Sequence, residues 1–167
     1  MTAERRNPIR WVRPVLSLPA LAVALAMTIT PLLGAATTER IVIDPLTGVA
    51  IHGFDPVAYF TDRVAAAGRA ELEFTYEGVV WRFRNAGNRA AFADHPDVYM
   101  PRFGGYDPVV LGRAVASPGH PQVWLIAENR LYMFHTRENR DTFAADPRRA
   151  DELAQAKWPG VERALLP

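Results

Sequence analysis

Residues 72–96 read LEFTYEGVVWRFRNAGNRAAFADHP, and the chain writes a version of this stretch a second time. Shifted by 51, residues 77–96 (EGVVWRFRNAGNRAAFADHP) fall on residues 128–147 (ENRLYMFHTRENRDTFAADP). Seven of twenty ungapped positions are identical, and Trp81 falls on Tyr132. Upstream, with a shift of 52, Gly53-Phe54-Asp55-Pro56-Val57 falls on Gly105-Tyr106-Asp107-Pro108-Val109. A period near 50 points to a repeated architecture, and two copies are too few for a solenoid. The expectation is one small α+β domain: two tandem copies of a β-hairpin plus helix unit, about 53–104 and 105–158.

Each copy predicts the same elements. Glu77-Gly78 is a hairpin turn, and a two-residue loop pairs Phe74 with Trp81 and Leu72 with Phe83 on one face. Glu73 then opposes Arg82 on the other face, a pair suited to water. In the second hairpin, around Glu128-Asn129, the corresponding inner face is Val123, Leu125, Tyr132 and Phe134. Its other face pairs Trp124 with Met133 and Ile126 with Leu131, so both faces are apolar. A sheet of that kind is either covered on both sides or presents a docking surface. A helix follows each hairpin, capped by Asn85 and by Thr136, with Phe92 and Phe143 toward the sheet. Asp55-Pro56 and Asp107-Pro108 read as cap-and-first-turn pairs opening short helices. Pro147 opens a last helix that Trp158-Pro159 is expected to end near Lys157.

The ends carry different information. Arg5, Arg6, Arg10 and Arg13 precede an uncharged run over residues 15–36 that closes on Gly34-Ala35-Ala36. This reads as a signal peptide at 1–36, cleaved before Thr37, with export to the periplasm. The alternative is an inner-membrane anchor at 15–34. Either way, positive charge before the apolar run places the folded part outside the cytoplasmic membrane. Residues 37–51 read as linker and lead-in with a turn at Asp44-Pro45-Leu46-Thr47-Gly48. The domain itself is expected over 52–159, with a tail at 160–167. The whole chain has 19 basic and 18 acidic side chains; without the four leader arginines and Glu4, 15 basic face 17 acidic. No basic stripe survives, so nucleic acid is not an expected partner. Cysteine is absent, which removes disulfides, thiolate ligands and thiol nucleophiles together.

Candidate site residues follow from the junction between copies. Gly104 and Gly105 would let a ligand approach the backbone closely, and Tyr59 and Tyr106, with Tyr76, Tyr99 and Tyr132, could line a cleft there. His52, three residues before Asp55, could hydrogen-bond to that carboxylate. Met133 and His135 share a strand face, and with Met100 would make a thioether–imidazole set suited to a soft metal ion such as Cu(I). His95 and His120 have no metal-ligand spacing to any partner. Arg89 and Arg140 recur in both copies and are expected in structural salt bridges. No Ser-His-Asp order, HExxH or phosphate loop is present, so an enzyme is not expected.

Several of these pieces together resemble the YHS domain family, in particular its exported stand-alone bacterial members. They are the stretch from Gly53 to Phe60; Phe74-x-Tyr76-x-Gly78-x-x-Trp81-x-Phe83; Asn88-Arg89-x-x-Phe92; Pro96-x-x-Tyr99-x-Pro101; and Phe103-Gly104-Gly105-Tyr106. The match runs from about Ile51 to Pro159, with Leu131-Tyr132 and Trp158-Pro159 similar to the tail of those proteins. The resemblance implies a small α+β domain associated with metal binding and with metal-transporting ATPases and metal-dependent oxygenases. Where many members follow Gly-Gly-Tyr with cysteine, this chain has Asp107, so the thiolate chemistry is not carried over. Two functional expectations result. One is an exported binding module for a metal ion or small ligand. The other is an accessory protein docking on a membrane complex through the second hairpin's apolar face.

Overall fold

The structure is a computed structural model and describes residues 39–165. The leader at 1–36 and the anchor span at 15–34 lie outside the described residues. Among the described residues, no helix is long and apolar enough to cross a membrane. The chain is α+β. A first series runs α1 (Ala58–Thr61), β1 (Arg69–Tyr76), β2 (Val79–Phe83), α2 (Ala86–Asp94) and α3 (Pro96–Tyr99). A second runs α4 (Pro108–Leu111), β3 (His120–Ala127), β4 (Arg130–Phe134), α5 (Arg137–Ala145) and α6 (Pro147–Leu165). The strands form two separate antiparallel hairpins. β1, β2, α2 and α3 each begin 51 residues before β3, β4, α5 and α6.

Both hairpin loops have two residues with left-handed backbone: Glu77 and Gly78 at φ 50° and 77°, Glu128 and Asn129 at 49° and 58°. That turn matches the right-handed twist of the strands it joins. Next to it the register is the expected one, Phe74 opposite Trp81 and Glu73 opposite Arg82, then Trp124 opposite Met133 and Ile126 opposite Leu131. Farther from the turn it departs. Phe83 faces Arg69 in place of Leu72, and Phe134 faces His120 in place of Val123, because each long strand bulges there. The bulge goes with a close crossing at the strand start. A Cβ on Gly68 would lie 2.5 Å from the Arg82 carbonyl carbon, and one on Gly119 would lie 2.6 Å from Met133 Cβ. Glycine permits that approach, and the strand bends to use it.

The core has two clusters, and the second hairpin lies between them. Leu131 and Met133 are buried in the first cluster with Trp81, Phe83, Phe92 and Tyr59. Tyr132 and Phe134 are buried in the second with Phe143, Phe103, Tyr106 and Leu111. Phe92 packs 5.0 Å from Trp81, and Phe143 packs 4.5 Å from Tyr132, centroid to centroid. The apolar outer face is therefore covered within the chain: Trp124 and Ile126 pack on the first cluster, Trp124 edge-on to Tyr59 at 5.1 Å. Of the four side chains in the docking-surface expectation, Leu131 and Met133 are fully buried and Trp124 and Ile126 are half-buried. On the first hairpin the corresponding pair, Glu73 and Arg82, forms an ion pair of 2.9 Å at the surface.

Two boundaries differ from expectation. The stretch expected as a linker at 37–51 is, where it is described from residue 39, part of the core: Ile41 belongs to the first cluster and Val42 to the second, each 4 % exposed or less. The Asp44 turn does form, its carboxylate accepting from the amides of Leu46 and Thr47 at 3.0 and 2.9 Å. Those bonds, Thr47's first, hold the Asp44 carboxyl below its usual range. The second difference is α6, which runs through Pro159 to Leu165. Tertiary contact overrides the proline: Val161 and Leu165 are buried in the second cluster, and Glu162 accepts from Arg40 Nε at 2.9 Å. Proline inside a helix loses a hydrogen bond and clashes with the preceding turn, at about 3 kcal/mol. Pro159→Ala is accordingly expected to stabilise the protein by about 2–3 kcal/mol, read as a higher urea midpoint at unchanged slope.

Candidate functional site

The two aspartates are the most deeply placed charges in the molecule. Asp55 and Asp107 are both fully buried. Oδ1 of Asp55 accepts from the amides of Val57 and Ala58 at 2.9 and 3.3 Å. Its Oδ2 accepts from the Arg84 amide at 2.8 Å and from Asn88 Nδ2 at 2.7 Å. Asp107 repeats the set with Val109, Val110, His135 and Asn139 Nδ2 at 2.9, 3.4, 2.8 and 2.7 Å. The carboxylates are thus more than helix caps. Each ties a short helix to the end of a hairpin and to the following helix. Four donors offset the desolvation of a buried charge and leave no lone pair facing a substrate.

This arrangement corrects several sequence expectations. His52 does not reach Asp55; its ring Nδ1 lies 3.4 Å from Asp44 Oδ2 at the surface. Tyr59 lines no cleft: it is fully buried and donates to the Pro121 carbonyl at 2.9 Å, joining the two series. Tyr106 is buried as well, donating to the Glu39 carbonyl at 2.7 Å. Gly104 does receive a close neighbour, but it is the chain itself. A Cβ there would land on the Arg40 carbonyl, and Val42 donates to the Gly104 carbonyl at 2.8 Å. At Gly105 a Cβ would only reach ordinary contact with Val42, 3.5 Å away, so what favours glycine there is its φ of 92°. Met133 is closed inside the first cluster, while His135 is exposed with its ring nitrogen 3.2 Å from the Pro118 carbonyl. The two offer no common opening to an ion. Arg140 pairs with its neighbour Asp141 at 2.7 Å, and Arg89 is exposed on α2. His95 and His120 are exposed.

Burial also sets the tyrosine ionisations. It pushes the Tyr132 hydroxyl up to about 12, helped by the Asp151 carboxylate that accepts its proton at 3.0 Å. Burial likewise raises Tyr59, with Asp55 adding to it, and Tyr106. Unfolded tyrosine ionises near pH 10. The neutral ring is favoured in the fold, so this stability is complete below pH 10 and is lost as pH climbs through 10 toward 12 and beyond. Alkaline titration is expected to show tyrosinate absorbance for these rings rising together with loss of secondary structure.

A polar cleft of about 290 Å³ is lined by residues from both hairpins. Tyr76 and Glu77 come to it from the first hairpin turn, Asp97 and Met100 from α3 and its end, Arg130 from the second hairpin. Arg40, the Arg102–Gly104 turn, Trp158 and Glu162 complete it. Gly104 and Tyr76 are the expected residues present there; the arginines are the ones sequence reasoning missed. A larger groove of about 550 Å³ runs along the end of α6, but its walls are mostly alanine, proline and glycine, with Lys157 and Arg163 the charged exceptions. Specific small-molecule sites need placed polar groups, which favours the polar cleft. Among the described residues, no three His, Cys, Asp or Glu side chains gather where a metal ion could be held. Comparison with family models, with characterised proteins and with solved structures finds no match for this chain.

Proposed function

We propose that this chain is an exported, non-enzymatic binding module of the YHS type, built from two tandem copies of a hairpin-plus-helix unit, and that it holds a small ligand where the copies meet. The common spacing of 51, the paired strand bulges and the matching Asp–Asn sets support a duplicated unit. The leader over residues 1–36 supports a periplasmic location, with the anchor at 15–34 as the alternative. The observation that carries the binding reading is the cleft, whose polar walls come from both halves. Asp55 and Asp107 have their oxygens taken up by amide donors, which supports a role without proton transfer.

The metal half of the family resemblance does not fit the residues present. A stable site wants several converging donors; among the described residues no three His, Cys, Asp or Glu side chains gather, and the cleft's Glu77, Asp97 and Glu162 share its walls with three arginines. A small organic ligand is the better occupant. Thermal-shift screening of the full chain against metabolites and against Cu, Zn, Ni and Fe salts tests this. A metabolite is expected to raise the melting temperature and to move the amide resonances of residues 40–41, 76–77, 97–104 and 130. A stoichiometric metal in protein purified without chelator, or hits mapping to the end of α6, would contradict it.

A further inference from the structure

The two halves share their scaffold, so the place where they differ is the place to look for recognition. At the position of Tyr132 the first half has Trp81, whose indole N–H donates to the Tyr76 carbonyl at 3.3 Å. Tyr132 instead donates to Asp151, and Asp151 lies 3.7 Å from Arg102 Nη2, which also donates to Gln155 at 2.6 Å. Among the described residues this polar chain has no counterpart in the first half. It holds the Arg102 guanidinium on the cleft wall, 4.9 Å over the Phe103 ring. Its Nε is enclosed and without a hydrogen-bond partner, the one such buried side-chain atom among the described residues. A ligand in the cleft can meet only the exposed part of this side chain, 28 % of it, whose remaining N–H groups can still donate.

The other cations differ in how they are used. Arg40 is held by Glu162. Arg130 lines the cleft with no carboxylate in ion-pair reach among the described residues. Glu77, Asp97 and Glu162 share the same walls, so the cleft is not a general anion trap. A multiply charged anion would meet their repulsion. Met100, Phe103 and Trp158 add apolar surface beside the guanidinium groups.

We propose that the cleft recognises a small organic monoanion, a single carboxylate on an apolar body, with Arg102 and Arg130 receiving the carboxylate and Trp158 and Met100 the body. This rests on the cleft being the binding site. Planar guanidinium suits carboxylate geometry, and one such charge-assisted contact is worth about tenfold or more in affinity. The test is a titration of the full chain with benzoate, its neutral counterpart benzamide, and inorganic phosphate, followed by calorimetry and amide resonances. Benzoate is expected to move the cleft amides and to bind at least about tenfold tighter than either of the others. Arg130→Gln, on the exposed end of a hairpin turn, is expected to weaken benzoate about tenfold while leaving the melting temperature unchanged. Arg102→Gln is expected to weaken it at least as much. Equal binding of benzoate and benzamide, or benzoate binding unaffected by both substitutions, would overturn the carboxylate assignment while sparing the cleft. Tighter binding of phosphate would overturn it in favour of an inorganic anion. No shift of cleft amides with benzoate would overturn it as well, and would leave the binding-module reading to the metabolite screen.

Discussion

Asp107→Ala is expected to unfold the protein or bring it close to unfolding. The substitution takes the acceptor from four N–H groups at once, those of Val109, Val110, His135 and Asn139. A buried donor left without its acceptor costs about 1–3 kcal/mol, so a loss of at least about 4 kcal/mol is expected. A domain of this size has only about 5–15 kcal/mol to lose. Asp55→Ala should do the same, because its four contacts are the same kind at the same depth. Asn88→Ala and Asn139→Ala remove one donor each and are expected to cost less, about 1–3 kcal/mol. Urea denaturation followed by circular dichroism measures all four. If either aspartate variant loses less than 1 kcal/mol, roughly the value of a simple exposed cap, the carboxylate is not a tie between elements.

The second large effect is a pair of substitutions with opposite signs. His52 and Gly104 occupy corresponding places in two left-handed turns: φ runs 41°, 55° and 77° over Ile51, His52 and Gly53, and 55°, 61° and 92° over Phe103, Gly104 and Gly105. His52 is exposed and its side chain makes only the long contact to Asp44, so the left-handed backbone is its main constraint. His52→Gly is expected to stabilise the protein by up to about 1 kcal/mol. Gly104→Ala faces both the strained φ and the Arg40 backbone, which cannot yield as a flexible side chain would. It is expected to displace residues 40–43 from the core, uncovering Ile41 and Val42, at more than about 3 kcal/mol. Proteolysis near residue 40 should then become fast. A neutral Gly104→Ala would mean that the lead-in segment is not seated on this turn.

The sequence carried the hairpins, the helix caps and the Phe92 and Phe143 contacts because those rest on local chemistry: turn residues, alternation, and Ser/Thr/Asn/Asp before a helix. What it did not carry was tertiary. Alternation has no term for a bulge, so Leu72 and Val123 were placed opposite Phe83 and Phe134; the signal was Gly68 and Gly119, equally spaced at the strand starts. Asn88 and Asn139 were visible as identities in the two aligned stretches, but nothing local marks them as donors to a carboxylate some thirty residues upstream. Gly104 was recognised as a site of close approach, while the approaching group, Arg40, lay in a stretch that looked like linker. The cleft arginines, Arg40, Arg102 and Arg130, are scattered over ninety positions and converge only through the fold.

The central claim is that each half is pinned by one buried carboxylate, and amide hydrogen exchange at Arg84 and His135 tests it most directly. Both residues are exposed at strand ends, where an amide open to water exchanges within seconds to minutes. Donation to Asp55 and Asp107 predicts that both amides are protected like those of the strand centres, and that each loses protection when its own aspartate becomes alanine. Exchange of either amide at the unprotected rate in the intact protein would contradict the claim.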